Sequence, residues 1–330
     1  MQVMIGLDQG STKTHAVAAD LSGNLMALGQ ADGSLHTCQG MDDALLRMRE
    51  ASQRALGAAG AGWPDVVAIS GGLTGIDYPY EQALLTRALQ THFGVESVFV
   101  HNDCIAALWG GVFAGPAVVC CAGTGLNLGG VSAGGDCAQL GNYANGPFHG
   151  AGSIGQDALQ AVFDAHIFKE PPTMLTQMIL ARLGYGGVDE LLMHRYRMKD
   201  VAVPALCPLV FEAAAQGDAA AARILAGCGD SWAKLCASVM RLLRIDPAAP
   251  VRVVLSGGVF KGKPGIPRQR METMLSSGVA PGAKVEQARY EPIVGGAVMG
   301  LFRLGTGQWQ KNVERSAERL GLLRCAGEGL

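Results

Sequence analysis

The stretch Val3-Met4-Ile5-Gly6-Leu7-Asp8-Gln9-Gly10-Ser11-Thr12-Lys13-Thr14 is an apolar run that breaks into a Gly/Ser/Thr loop. His15–Asp20 follow as a second apolar run, Leu21-Ser22-Gly23-Asn24 as a turn signal, and Leu25–Gly29 as a third run. Strand, loop, strand, turn, strand in that order is a β-meander. A Walker loop or a dinucleotide fingerprint opens a helix directly after its glycines. Here the residues behind the loop lack helical periodicity and reach a turn too soon. The sequence therefore places a phosphate-loop candidate, Gly10 to Thr14, in a β-hairpin.

The same arrangement recurs. Ala117–Cys121 is an apolar strand, Ala122-Gly123-Thr124-Gly125 a Gly/Thr hairpin, Leu126–Val131 a second strand, and Ser132–Asp136 a Gly-rich turn. Helices and single strands follow each hairpin, which reads as internal duplication of a βββαβα unit. In the first half a helix is expected from about Asp42 to Ala59, with Ala44, Leu45, Met48, Ala51 and Ala55 on one face. Asp65–Ser70 reads as a strand ending in Gly71-Gly72, Glu81–Phe93 as a helix, and Ser97–Val100 as a strand ending at His101-Asn102-Asp103. Cys104–Gly111 reads as a small-residue helix joining the halves. The second half carries a helical insert, about 153–244, whose Ala-rich stretch breaks at Gly217-Asp218. Its core resumes at Val251–Leu255 and Ser256-Gly257-Gly258, and Gly295-Gly296-Ala297 opens a last small-residue helix. Gln310–Leu320 reads as a polar terminal helix. The expected architecture is α/β with two domains, 1–112 and 113–330, hinged around Gly110–Pro116 over a cleft.

Composition agrees with a folded chain of this size. The 330 residues are 49% hydrophobic and 16% charged, and the mean hydropathy of +0.22 excludes a disordered chain. Single cores stop growing near roughly 250–300 residues, which favours two domains. A net charge of −2 gives no electrostatic footprint for nucleic acid. Apolar runs such as Pro116–Ala122 are strand-length, far below the roughly 20 residues of a membrane-spanning helix. The amino terminus runs into Val3–Leu7 without a basic region or cleavage site, so no export signal is expected. Nine cysteines, an odd number in mostly apolar segments, read as reduced thiols of a cytoplasmic protein, and none has zinc-ligand spacing.

Two Gly/Thr hairpins, one per domain, can face each other across a cleft and hold a chain of phosphates with backbone N–H groups and hydroxyls. Asp8 starts the first hairpin, where a carboxylate can organise Mg²⁺ through its waters. Lys13 either neutralises phosphate charge or is a solvated hairpin residue. Asp103 has two readings, as a helix cap or as a general base at the carboxyl end of a strand.

The ordered set of motifs resembles the actin-like (ribonuclease H-like) ATPase superfamily, which includes sugar kinases. More narrowly, it resembles N-acetylglucosamine kinases and BadF/BadG/BcrA/BcrD-type ATPases. The resemblance runs through Asp8–Thr14, Ser70-Gly71-Gly72, Asn102-Asp103 with Ala106-Ala107, and Ala122–Gly125. It continues through Ala215-Gln216-Gly217-Asp218, Ser256-Gly257-Gly258 and Gly295-Gly296-Ala297. It implies two actin-like domains, ATP and Mg²⁺ as cofactors, a sugar acceptor, a homodimer, and Asp103 as the base that takes the hydroxyl proton. By the same resemblance Gly10, Ser11, Thr12, Lys13, Thr14, Gly123, Thr124 and Gly125 contact phosphate. Ser256, Gly257 and Gly258 approach the adenosine, with Gly217 on the other face of the nucleotide. Gly72 and Asn102 join Asp103 on the acceptor side. Gly217-Asp218 also fits an ordinary helix break.

The chain departs from that pattern. The family's kinases usually carry Gly-Gly-Trp-Gly and Gly-Asp-Glu-Gly-Ser stretches after the second hairpin, where this chain has Gly141-Asn142-Tyr143-Ala144-Asn145-Gly146-Pro147-Phe148-His149-Gly150. The acidic pair is missing, and Ser34, His36 and Thr37 occupy the loop where an Asn is expected. A site built to pair polar groups discriminates against ligands that leave them unpaired, so an acceptor other than N-acetylglucosamine is implied. Asn142, Tyr143, Asn145 and His149 become the substrate-contact candidates. Three readings follow: an ATP- and Mg²⁺-dependent sugar kinase, an ATPase that couples hydrolysis to another process through an iron–sulfur cluster, and a catalytically silent sugar or nucleotide sensor. The cluster needs accessible thiolates; Cys120 and Cys121 fall inside a buried strand, and only Cys137 lies in a loop. No helix-turn-helix segment precedes Met1–Leu7, which argues against a repressor.

Overall fold

Each half of the chain delivers the same sheet. The computed structural model describes residues 1–141, 150–198, 201–305 and 307–324. In the first half β1 (Val3–Gln9), β2 (Lys13–Asp20), β3 (Leu25–Asp32), β4 (Val66–Leu73) and β5 (Ser97–Asn102) lie in the order β3-β2-β1-β4-β5. In the second half β6 (Ala117–Ala122), β7 (Leu126–Val131), β8 (Cys137–Gln139), β9 (Val251–Ser256) and β10 (Ala283–Gln287) lie in the order β10-β9-β6-β7-β8. Counted outward from the third strand of each half, the two orders are identical. The meander is antiparallel in both halves, and the last two strands run parallel to the first. The duplicated core is thus present in the topology. β10 was not foreseen, because Ala283-Lys284-Val285-Glu286-Gln287 has no apolar run and is at most half-buried. Cys137, expected in a loop, lies in β8.

The helices are α1 (Met41–Ala58), α2 (Pro79–Phe93), α3 (Asp103–Trp109), α4 (Ala151–His166), α5 (Leu175–Leu183), α6 (Val188–Met198), α7 (Cys207–Ala215), α8 (Ala219–Leu242), α9 (Ile266–Met274), α10 (Pro292–Leu304) and α11 (Gln310–Arg319). They build layers around the sheets, and strand periodicity assigns the faces. On β1, Val3, Ile5 and Leu7 pack with α1 and α2, whereas Met4 joins the core that holds α3 and α10. On β6, Val118 and Cys120 pack with the helical insert, whereas Ala117 and Val119 face α3 and α10. These two helices are therefore the central layer between the sheets.

That central layer explains a glycine motif that the sequence reading placed differently. Gly295-Gly296-Ala297 lies inside α10, which begins at Pro292, so it does not open the helix. A Cβ on Gly295 would fall 1.8 Å from the Ala106 carbonyl oxygen of α3, and one on Gly296 would fall 2.5 Å from that of Leu7. The glycines let α10 touch a strand and a helix backbone to backbone.

The end of the chain returns to the first sheet. The Leu25 amide donates to Ser316 Oγ at 2.9 Å, and Arg319 Nη2 donates to the Leu25 carbonyl at 2.7 Å. The terminal helix is polar by composition but buries Val313, Ser316 and Ala317 on one side. Residues beyond the expected 112/113 boundary thus complete the first half. Among the described residues no helix is long and apolar enough to cross a membrane.

Gly295→Ala is expected to destabilise the fold by several kcal/mol, because a backbone oxygen cannot move aside as a flexible side chain does. Gly57→Ala, in α1 with open space around the new methyl, should stabilise by about 0.5–1 kcal/mol. Differential scanning calorimetry of both variants checks the pair, and a wild-type melting temperature for Gly295→Ala would refute the close packing of α3 on α10.

Candidate active site

The carboxyl ends of the parallel strands converge. Asp8 of β1 pairs in register with Gly72 of β4, Gly72 with His101 of β5, and Cys121 of β6 with Ser256 of β9. The two sheets present these ends to one cleft of about 500 Å³. The first half lines it with Asp8, Asp77, Glu81, Asn102 and Asp103, and the second with Gly123, Gly125, Asn127, Ser256 and Gly257. Strand ends of open α/β sheets are the ordinary place for a ligand, because loops there are free of the sheet's packing demands.

Asn102 and Asp103 divide two jobs. Asn102 caps α3, its Oδ1 accepting from the Cys104 amide at 3.0 Å. The same oxygen accepts from Asn127 Nδ2 at 2.8 Å, while Asn102 Nδ2 donates to the Ile76 carbonyl at 3.0 Å and to Asp77 Oδ1 at 3.2 Å. Asn127 Oδ1 in turn accepts from the Gly141 amide at 3.1 Å. The amide of Asn102 is saturated by protein, so its place in the structure is to bridge the halves of the cleft, and the acceptor contact expected of it has no hydrogen-bonding position left. With the cap made by Asn102, the carboxyl of Asp103 is released to the cleft.

The hairpins meet the cleft unequally. Gly123 lies where it joins a second cavity of about 660 Å³, lined by Thr124, Phe211, Gly258, Lys261 and Lys263 among others. Gly257 has φ +102°, and a Cβ there would fall 2.2 Å from the Ala122 carbonyl oxygen, so only glycine fits. At the first hairpin Asp8 faces the cleft, and with Lys13 it also lines an adjoining cavity of about 520 Å³. Gly10, Ser11 and Thr12 form the turn between β1 and β2, with Ser11 and Thr12 exposed, and none of the three is in the cleft wall.

Three expected contacts are structural here. Thr14 is buried and donates from Oγ1 to the Asp32 carbonyl at 3.0 Å, within the meander. Gly72 sits behind the cleft against α3, where a Cβ would fall 2.5 Å from that of Ala106. Gly217, at φ +90°, breaks α7 from α8 and is not in the wall of these cavities, and Asp218 behind it caps α8 on the Ala221 amide. Asn142, Tyr143, Asn145 and His149 lie outside the described residues. The sequence reading named Thr37 only as an occupant of the loop where an Asn is expected and passed over Thr74, Asp77, Glu81 and Asn127; all five are in the cleft wall. Asn127 carried a usable signal, as a lone amide in an apolar strand two residues beyond the hairpin.

Burial, followed by the charge of Asp8, pushes the Asp103 carboxyl up to about 6, against the pull of the Cys104 amide. Burial pushes the Cys121 thiol up to about 12, and that of Cys120 well above its usual range. Neither cysteine is a ready thiolate, which weighs against the iron–sulfur reading.

The profile of the BadF/BadG/BcrA/BcrD ATPase family matches residues 5–300. The chain belongs to this family. It is 29% identical to an N-acetyl-D-glucosamine kinase of Dictyostelium discoideum over 323 residues, covering 91% of this chain and 98% of that relative. A candidate N-acetylglucosamine kinase from Chromobacterium violaceum shares the fold with a TM-score of 0.65 at 21% identity, covering 91% and 99% of the two chains. The ROK hexokinase of Thermus thermophilus follows at 0.62 and 18%, covering 93% and 100%. The duplicated sheets are thus those of the two-domain, actin-like fold.

A carboxyl pushed upward in the folded state binds protons more tightly there than in the unfolded chain. Its ionisation therefore costs stability as pH rises towards about 6, reaching up to roughly 3 kcal/mol above it. Asp103→Asn should melt above the wild type at pH 8, with the gap closing near pH 4. Thermal melts across that range check it, and a pH-independent gap would contradict the raised carboxyl.

Proposed function

We propose that this member of the family is an ATP- and Mg²⁺-dependent kinase that phosphorylates a hydroxyl of a sugar or amino sugar, with Asp103 as general base. The observation that carries the reading is the Asp103 carboxyl, relieved of capping by Asn102 and set on the floor of a cleft shared with the second Gly/Thr hairpin. The Dictyostelium relative supports the same activity.

Phosphoryl transfer asks a protein for little beyond positioning, charge stabilisation and a group to take the hydroxyl proton. Asp103, with its carboxyl near 6, is ionised at neutral pH yet basic enough to accept that proton as the acceptor oxygen attacks the terminal phosphorus. The proton ends on Asp103 and the ADP oxygen leaves. The turn at Gly123–Gly125 lies between the cleft and the larger cavity, so the phosphates cross that turn with the adenosine beside Gly258. Thr37, Thr74 and Asp77 line the cleft and supply hydrogen bonds to the acceptor.

The residues present fit Mg²⁺. Among the described residues no group of three or more His, Cys, Asp or Glu forms a cage. Asp8, one of the carboxylates in the cleft wall, would hold such a cation by one ligand, in the manner of an ion that keeps waters and is shared with phosphates. Bound there, Mg²⁺ offsets phosphate charge.

A coupled ADP-release assay over a panel of sugars and amino sugars tests the reading. Asp103→Ala and Asp103→Asn should each lose roughly 100- to 10,000-fold in kcat, and undiminished turnover in both removes Asp103 as base. In the wild type kcat/KM should fall as pH drops through about 6, where Asp103 takes up its proton. A flat profile down to pH 4.5 would contradict the assignment.

A further inference from the structure

We propose that Arg324 binds the phosphates of the nucleotide, its guanidinium forming a cationic wall that the cleft's own lining lacks. This rests on the nucleotide half of the proposed function.

Charge is the first argument. Asp8, Asp77, Glu81 and Asp103 line the cleft, and among the described residues no Lys or Arg does. A polyphosphate entering beside four carboxylates requires opposing charge, and a single Mg²⁺ supplies only part of it. Lys261 and Lys263 line the larger cavity on the adenosine side, and the adjoining cavity that shares Asp8 and Pro292 with the cleft brings two more cations, Lys13 and Arg324.

Placement is the second. The backbone before Arg324 is fixed by an antiparallel bridge between Leu323 and Tyr290, with the Glu291 amide donating to the Leu322 carbonyl at 3.0 Å and the Arg324 amide to the Arg289 carbonyl at 2.9 Å. From there Nη1 reaches the cleft wall and donates to Ser256 Oγ at 2.8 Å. Nε faces Glu291 at a long 3.4 Å, and Nη2 has no partner among the described residues. A side chain serving only to tie down the chain end would be satisfied by Glu291, which lies beside it. Besides that long pair with Glu291, the guanidinium meets a neutral hydroxyl at the end of β9, with donors to spare. The planar fork of arginine suits phosphate oxygens. Its charge also reaches the cleft floor, where it draws the Cys121 thiol downward against burial.

Calorimetric titration of the full chain with ADP and with adenosine, without any sugar, separates the possibilities. Arg324→Ala should weaken ADP binding roughly 10- to 100-fold and leave adenosine within about twofold. Arg324→Lys should recover part of the loss, and the ADP affinity of Arg324→Ala should depend less on salt. Unchanged ADP affinity with a lowered melting temperature makes Arg324 an anchor for the chain end and overturns the proposal, as does an equal loss of ADP and adenosine. Should Arg324→Ala not fold, Arg324→Gln is titrated instead with the same two outcomes. A wild type that binds ADP through Arg324 yet phosphorylates no sugar ends the kinase reading and leaves this one standing. A wild type that binds no adenine nucleotide ends both.

Discussion

The contact of α3 with α10 is the constraint on which the rest depends. At Gly295 and Gly296 the helix backbone lies directly on the Ala106 and Leu7 carbonyls, and the core around it draws residues from both sheets. Separation at that point would part the sheets and the strand ends they carry. Because α3 starts at Asp103 and α10 starts at Pro292, both in the cleft wall, the packing that joins the halves also sets the width of the site. Stability and geometry are here one requirement.

The polar counterpart is the chain of amides from Asp77 through Asn102 and Asn127 to Gly141. It crosses from the first sheet's strand ends to the second hairpin, and each bond is made by a side chain that is at least partly buried. An unmade bond in such a place costs more than the net gain of a made one. The amide chain therefore resists any sliding of one sheet over the other that the apolar layer alone would tolerate.

What the sequence disclosed and what it hid follow from range. The two meanders were readable because each is local, with apolar runs separated by turns of a few residues, and the repeat of the pattern reinforced each half. Asp103 was readable as a strand-end carboxylate, but that its neighbour makes the cap was not, since either residue can cap α3 and only the bond from the Cys104 amide to Asn102 Oδ1 distinguishes them. The place of Gly295 inside a helix was hidden for a similar reason. Glycine usually ends helices, and only the opposing backbone of α3 makes it necessary within one. The return of α11 to β3 spans 291 residues between Leu25 and Ser316, and no local pattern encodes such a distance. Thr14 and Gly217 also have structural roles, one within the hairpin and the other at a helix break, which the sequence reading kept open for Gly217 alone.

Adjacent positions at the end of β5 show how the site is kept separate from the scaffold. Asn102 has every hydrogen-bonding position filled and holds the cleft together. Asp103, one residue on, is placed where burial and the charge of Asp8 work against its ionisation. A residue chosen for stability at that position would be neutral, as Asn is next door. A carboxylate held in surroundings that oppose its charge is a proton acceptor of raised basicity, and the fold tolerates it because the bonds that secure α3 are made by Asn102. The division lets the scaffold be satisfied while the carboxyl beside it stays in surroundings that oppose its charge.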